Sequence, residues 1–195
     1  MNTYAELVSA VTAFMGQEGN PEVVNQVPLF IALGEATIYR QLRDERMITN
    51  TLVGTTPPYI LPDDFLEPQA VWIGYSKISY VPPDMILQDE VSTDTATLWS
   101  VLGTELLFNG ATTDTTTLSY FAKPAPLVEE VNNLFLLNPD LFLYAALSEA
   151  MIFVRDESRS GVWKGLFAEK LAAVRSAAWD ARLPRAQPLN SYQLR

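Results

Sequence analysis

Apolar positions repeat first at helical spacing, then at strand spacing, then at helical spacing again, dividing the chain into three stretches. Tyr4, Leu7, Val8, Val11, Phe14 and Met15 form one stripe and predict a helix from about Tyr4 to Met15. Thr3 and Glu6 stand at capping-box spacing before it, and Gly16 and Gly19 end it. Asn20-Pro21 predicts a cap with proline in the first helical position, opening a short helical turn. A further helix is expected from Pro28 to about Arg46, with Ile31, Gly34, Ile38 and Leu42 on one face and Arg40, Arg43 and Arg46 on another.

From Thr49 to Ala122 threonine and valine become common, and proline and glycine punctuate short runs. Strands are expected at about 49–53, 59–61, 69–75, 78–81, 99–102, 105–108 and 118–121. Gly103-Thr104 and Asn109-Gly110 are turn signals, and 111–117 is expected to be an exposed hairpin loop. Helical spacing returns at Asn138-Pro139, which reads as cap and first-turn proline of a helix reaching Val154 that is apolar nearly all round. A last helix is expected from Ser160 to about Asp180, burying Val162, Trp163, Leu166, Phe167, Leu171, Val174 and Ala178. Beyond it, Pro184 and Pro188 forbid a stable helix, and an extended tail is expected. The fold class is therefore α+β. A bundle of about four helices carries an inserted small antiparallel β module and an extended C-terminal tail. The corresponding segments are 1–48 (N-terminal helices), 49–123 (β module), 124–181 (C-terminal helices) and 182–195 (tail).

Composition narrows what such a chain can do. Cysteine and histidine are both absent from its 195 residues. This removes thiolate chemistry, disulfides, the commonest general base and the commonest metal ligand. No Gly-rich phosphate loop is present, and Ser148, Ser158 and Ser160 have no histidine to activate them. The paired carboxylates Asp63-Asp64, Asp89-Glu90 and Glu129-Glu130 are adjacent in sequence, so they point apart on regular elements. Asp63-Asp64 reads as turn chemistry rather than a cation site. Glu149, on the apolar helix, reads as one end of an internal arginine salt bridge rather than a catalytic acid. The four tryptophans, Trp72, Trp99, Trp163 and Trp179, read as packing residues. No catalytic, cofactor or metal site is expected. No apolar run is long enough to cross a bilayer, and the N-terminus lacks the pattern of a signal peptide.

The net charge of −10 is unevenly placed. Residues 1–39 hold four acids and no base, and residues 51–122 hold nine acids against Lys77. The stretch after Asp180 holds Arg182, Arg185 and Arg195 and no acid. An acidic body disfavours sequence-specific DNA binding, and a cationic tail suits an acidic partner surface. The row of Arg40, Arg43 and Arg46 fits either a solvated face or a contact with a neighbouring subunit's acids.

Several segments, taken in order, carry a resemblance. They are Thr3-Tyr4-Ala5-Glu6-Leu7-Val8, then Phe30-Ile31-Ala32-Leu33-Gly34-Glu35-Ala36 leading to Ile38 and Arg40, then Tyr59-Ile60-Leu61-Pro62-Asp63-Asp64-Phe65-Leu66. Tyr80-Val81-Pro82-Pro83-Asp84 and Leu118-Ser119-Tyr120-Phe121-Ala122-Lys123-Pro124 follow, and the run from Asn138 to Leu147, with Glu149-Ala150, completes the set. Together they resemble the head-to-tail adaptor (connector) family of tailed bacteriophages. The resemblance implies a non-enzymatic structural protein of the virion neck, present in the host cytoplasm during assembly. It implies a homo-oligomeric ring, usually a dodecamer, beneath the portal protein. The ring would offer a platform to a tail or nozzle protein and line the channel through which double-stranded DNA passes during ejection, with no membrane partner.

By role, the tail residues Arg182, Leu183, Arg185, Leu189, Tyr192, Leu194 and Arg195 are the expected portal anchors, and Arg40, Arg43, Arg46, Phe142 and Glu149 are candidates for contacts between subunits. A free monomer that assembles on the portal is expected. The alternatives are a tail-tube, terminator or decoration protein of the virion, or a carboxylate-dependent cell-wall glycosidase.

Overall fold

The computed structural model describes residues 1–16, 19–88 and 94–182, with side chains through Ala177 apart from that of Gln88. Contacts divide the chain into two compact units, one of residues 1–42 with the chain from Pro126 onward, the other of residues 43–125.

The first unit is helical. Its elements are α1 (Tyr4–Met15), α2 (Pro21–Val24), α3 (Val27–Gln41), and, after the second unit's α4 (Pro83–Gln88), α5 (Asn133–Leu137), α6 (Pro139–Phe153) and α7 (Glu157–Arg182). The Thr3 side chain accepts the Glu6 N–H at 3.2 Å, and Glu6 reaches back to the Asn2 N–H at 2.8 Å, one residue beyond an ideal capping box. Gly16 closes α1 with a left-handed φ of 68°. α3 stops at Gln41, short of the expected Arg46. Leu42 turns extended, and Asp44 caps a separate 3₁₀ turn over Glu45–Met47 by accepting the Arg46 N–H at 2.9 Å. α7 begins three residues earlier than expected because Asp156 accepts the Arg159 N–H at 3.1 Å. Asn138 acts differently from expectation too. Its side chain donates to the Leu134 carbonyl at 3.3 Å and ends α5, so it makes no side-chain cap for α6.

Aromatic pairs fix the helix directions. Phe30 lies 5.3 Å from Phe153 and Tyr39 lies 6.4 Å from Phe142, ring centre to ring centre, so α3 and α6 run antiparallel. Gly34 sits where they cross: a Cβ there would lie 2.9 Å from the Ala146 nitrogen. α7 returns along α6, with Trp163 stacked 5.8 Å from Tyr144 and Lys170 paired to Asp140 at 2.7 Å. Leu7, Val11, Ile31, Ile38, Phe135, Phe142, Leu147 and Met151 fill the core.

The second unit corrects the expectation of a small antiparallel module. Its strands are β1 (Ile48–Leu52), β2 (Tyr59–Ile60), β3 (Phe65–Ile73), β4 (Ser76–Tyr80), β5 (Leu98–Leu102), β6 (Glu105–Phe108) and β7 (Thr116–Ala122). They form one mixed seven-stranded sheet of order β1-β7-β3-β4-β5-β6-β2. β4 and β5 are parallel, which requires a crossover, and α4 lies on it. Val53, Val71, Ile78, Trp99, Leu106, Phe108, Leu118 and Tyr120 share one cluster. Those residues come from both ends of the strand order, so the sheet curls around a single core.

Two tight turns have left-handed glycines, Gly74 between β3 and β4 and Gly103 between β5 and β6. Asn109-Gly110 makes no such turn. The Asn109 side-chain Oδ1 accepts the Thr97 and Leu98 N–H groups at 2.9 and 2.8 Å, tying the end of β6 to the start of β5. The expected exposed loop at 111–117 is partly buried, because Thr112 donates to the Gly54 carbonyl at 2.9 Å and Thr116 begins β7.

Candidate functional site

The arginines expected to share a helical face are separated by the end of α3. Arg40 is exposed on the last turn of α3 and folds back onto the Ala36 carbonyl at 3.1 Å. Arg43 pairs with Glu67 of β3 at 2.9 Å, and Arg46 pairs with the buried Asp44 at 3.3 Å. Strong capping by Asp44 moved these two residues out of the helix, and a period-three row of arginines cannot reveal that. Phe142 is buried inside its own unit, edge-on to Tyr39 and Phe135.

Glu149 is half-buried, and among the described residues it makes no hydrogen bond or ion pair, so the expected arginine partner is not there. The buried carboxylate of this unit is Glu35. Its Oε1 accepts the Leu127 N–H at 3.0 Å and the Tyr39 hydroxyl at 3.3 Å. The Tyr39 hydroxyl also accepts from Asn132 at 3.1 Å, so one network ties α3 to residues 127–132. Burial, then the Glu35 charge, pushes the Tyr39 hydroxyl above the usual phenol range, and the same two causes raise Tyr4. A lone acid inside the apolar run Phe30–Ala36 was the sequence signal for Glu35.

The helical unit presents apolar surface beyond its core. Leu29 and Leu33, one turn apart on α3, are 51% and 43% exposed, and Ile152 and Phe153 at the facing end of α6 are each 52% exposed. At the other end, the Arg175 guanidinium donates to the Gln41 carbonyl where α3 finishes. α7 continues for seven more helical residues to Arg182, about 10 Å of helix at 1.5 Å per residue. The backbone of Arg182 ends that helix, and its side chain lies outside the described residues. So do the other expected anchors Leu183, Arg185, Leu189, Tyr192, Leu194 and Arg195.

In the sheet unit, Asp63 and Asp64 occupy the expected turn, closed by the Phe65 N–H on the Pro62 carbonyl at 3.0 Å, while Asp64 itself bonds across the sheet. Its carboxylate accepts the Tyr120 hydroxyl at 2.9 Å, and its carbonyl accepts the Lys123 N–H at 2.7 Å. Burial, then Asp64, pushes the Tyr120 hydroxyl up to about 12. Trp99 and Trp163 pack as expected, whereas Trp72 is 39% exposed on β3. Trp179 lies among residues whose side chains are not described.

Two of the clefts among the described residues bear on the glycosidase alternative. A groove of about 420 Å³ beside β2 and β6 contains one acid, Glu105. A cleft of about 520 Å³ at the α6–α7 corner contains Glu157 with Arg155 and Lys164. Neither brings together the two carboxylates a glycosidase needs. Among the described residues no group of three acids could hold a metal, and no helix is long and apolar enough to cross a membrane. The chemistry these surfaces support is recognition: apolar helix faces and an acidic sheet.

Residues 2–191 match the family model for the SU10 adaptor protein, which agrees with the resemblance carried by the ordered segments. No curated protein matches the chain.

Proposed function

Because the chain belongs to the SU10 adaptor protein family, we propose that it is the virion's head-to-tail adaptor, a structural and non-enzymatic component of the neck. The match over residues 2–191 carries this reading, since it spans both compact units. It also favours an adaptor over a tail-tube, terminator or decoration protein.

The copies form a ring, a dodecamer by the family resemblance, between the portal protein and a tail or nozzle protein. Double-stranded DNA passes through the ring without sequence-specific contact. A net charge of −10 suits such a passage, because an acidic wall does not trap phosphate. The exposed apolar residues Leu29, Leu33, Ile152 and Phe153, with Arg40, supply surface for neighbouring copies. Segment 182–195 is the portal-binding tail: α7 carries it away from the end of α3, and its three arginines and no acid suit an acidic portal cleft. The chain stays monomeric in the host cytoplasm until the portal templates the ring, since ordering a Pro-broken tail costs entropy that only a partner surface offsets.

The test is deletion of residues 183–195. The shortened chain keeps the melting profile of the full chain and loses portal binding in sedimentation. Unchanged portal binding would refute the tail assignment.

A further inference from the structure

The groove beside β2 and β6 lies outside the surfaces proposed above for the portal and for neighbouring copies. Tyr59 pairs with Leu106 and Ile60 with Glu105, and the Leu61 N–H donates to the Thr104 carbonyl at 2.9 Å. Antiparallel strands alternate hydrogen-bonded and non-bonded pairs. Leu61–Thr104 and Tyr59–Leu106 are therefore bonded pairs, and the next bonded position on β6 is Phe108, opposite position 57. That position is Pro57, which has no N–H to give, and the ladder ends there.

The other side of β6 gives the same answer. The Asn109 N–H donates to the Leu98 carbonyl at 3.3 Å, so by the same alternation the Phe108 main chain faces away from β5, toward the groove. Neither Phe108 main-chain group finds a backbone partner in the Pro57-Pro58 segment. The groove itself is lined by Thr55, Pro57, Tyr59, Leu107 and Phe108, with Glu105 as its one charged residue. Ile60, on the short edge strand, is 60% exposed. Phe108 is 6% exposed, so this unpaired rung is recessed in the apolar trough, where an extended segment laid along the trough would meet it.

The charge selects the partner. Residues 43–125 hold eleven acids and four bases, a net −7, and the acid in the groove has no base beside it in the lining. We propose that this groove binds an extended, Lys- or Arg-bearing peptide segment of the tail-side component, which adds a strand at Phe108, seats alternate apolar side chains in the trough and places a cation on Glu105. The source of the peptide rests on the adaptor reading; the groove's chemistry does not.

The test titrates the full chain with an acetylated hexapeptide of alternating lysine and valine. Its glutamate–valine counterpart and a form N-methylated at the strand-forming nitrogens serve as controls. The lysine peptide binds at least about tenfold more tightly than either control. Thr55→Trp, which fills the trough from an exposed position, and Glu105→Lys each weaken it by about tenfold or more without changing the melting profile.

Equal binding of the lysine and glutamate peptides, no effect of either substitution, or no binding at millimolar peptide would overturn the proposal. Tighter binding of a synthetic 183–195 peptide would assign the groove to a second copy of this chain, and would overturn it too. Failure of the adaptor reading shows separately, as absence of the chain from the neck of the particle while the lysine peptide still binds.

Discussion

The same substitution, glycine to alanine, has opposite consequences at two places in the helical unit. In an exposed helix interior, alanine is favoured over glycine by about 1 kcal/mol, because it removes backbone freedom from the unfolded chain. Gly161 and Gly165 of α7 are such positions: a Cβ there meets nothing within 4 Å. Gly161→Ala and Gly165→Ala therefore stabilise the protein by up to about 1 kcal/mol each.

At Gly34 of α3 a Cβ would lie 2.9 Å from the Ala146 nitrogen and 3.1 Å from both the Ala145 carbonyl carbon and its Cβ. The first two are backbone atoms of α6, so relief requires the two helices to separate rather than a side chain to rotate. Overpacking of this kind costs about 1–3 kcal/mol, which exceeds the propensity gain. Gly34→Ala is expected to destabilise by about 1 kcal/mol net, or about 2–4 °C in melting temperature for a chain of this size. Urea and thermal melts of the three variants beside the parent chain measure this directly. A stabilised Gly34→Ala, in step with the two α7 variants, would refute the close crossing of α3 and α6.

Glu35→Ala leaves the buried Leu127 N–H without its acceptor and should cost about 3 kcal/mol in a urea melt, whereas Glu35→Gln keeps an acceptor oxygen and should cost clearly less. Asn109→Ala removes the oxygen that receives two N–H groups at the β5–β6 corner and should cost about 1–2 kcal/mol, while Asn109→Asp retains most of the stability. Tyr120 is held protonated by burial and by Asp64, with its hydroxyl at about 12 against an ordinary value of 10.0. Between those values the folded state binds more protons than the unfolded state, so stability is intact below pH 10 and falls as pH rises toward 12. An alkaline stability curve should show this, and Asp64→Asn should move the ultraviolet phenolate titration of Tyr120 downward.

The regular elements were legible in the sequence wherever the signal was local. The stripe from Tyr4 to Met15, with its Thr3 cap and Gly16 stop, gave α1 to the residue, and β-rich runs marked all seven strands. The end of α3 was missed because apolar spacing continues through Leu42, while the capping side chain of Asp44 competes with the helix two residues later. The parallel β4–β5 pair was hidden because strand order is a long-range property: nothing in Ser76–Tyr80 or Leu98–Leu102 states which strand lies beside it. Thr112 and Thr116 looked like loop residues, since a polar run does not reveal that its hydroxyls will bond Gly54, Tyr59 and the Thr113 N–H.

The interaction surfaces were the least legible part. Arg43 and Arg46 read as a free cationic row, but tertiary folding brings Glu67 to one and the 3₁₀ turn brings Asp44 to the other. Glu149 read as the buried acid because its helix is so apolar, yet the acid that folding buries is Glu35, at 7% exposure, because it faces residues 127–132 as well as its own helix neighbours. Identity was carried instead by the order of short segments along the chain, which the family match spans almost end to end.

The adaptor reading puts this chain in a ring between portal and tail. Electron cryomicroscopy of the phage particle that encodes it tests this most directly. A closed ring of this fold is expected directly beneath the portal, with each copy's segment after Arg182 running up into the portal. Density for the chain only along the tail tube or on the capsid surface, or a neck ring built from a different fold, would contradict it.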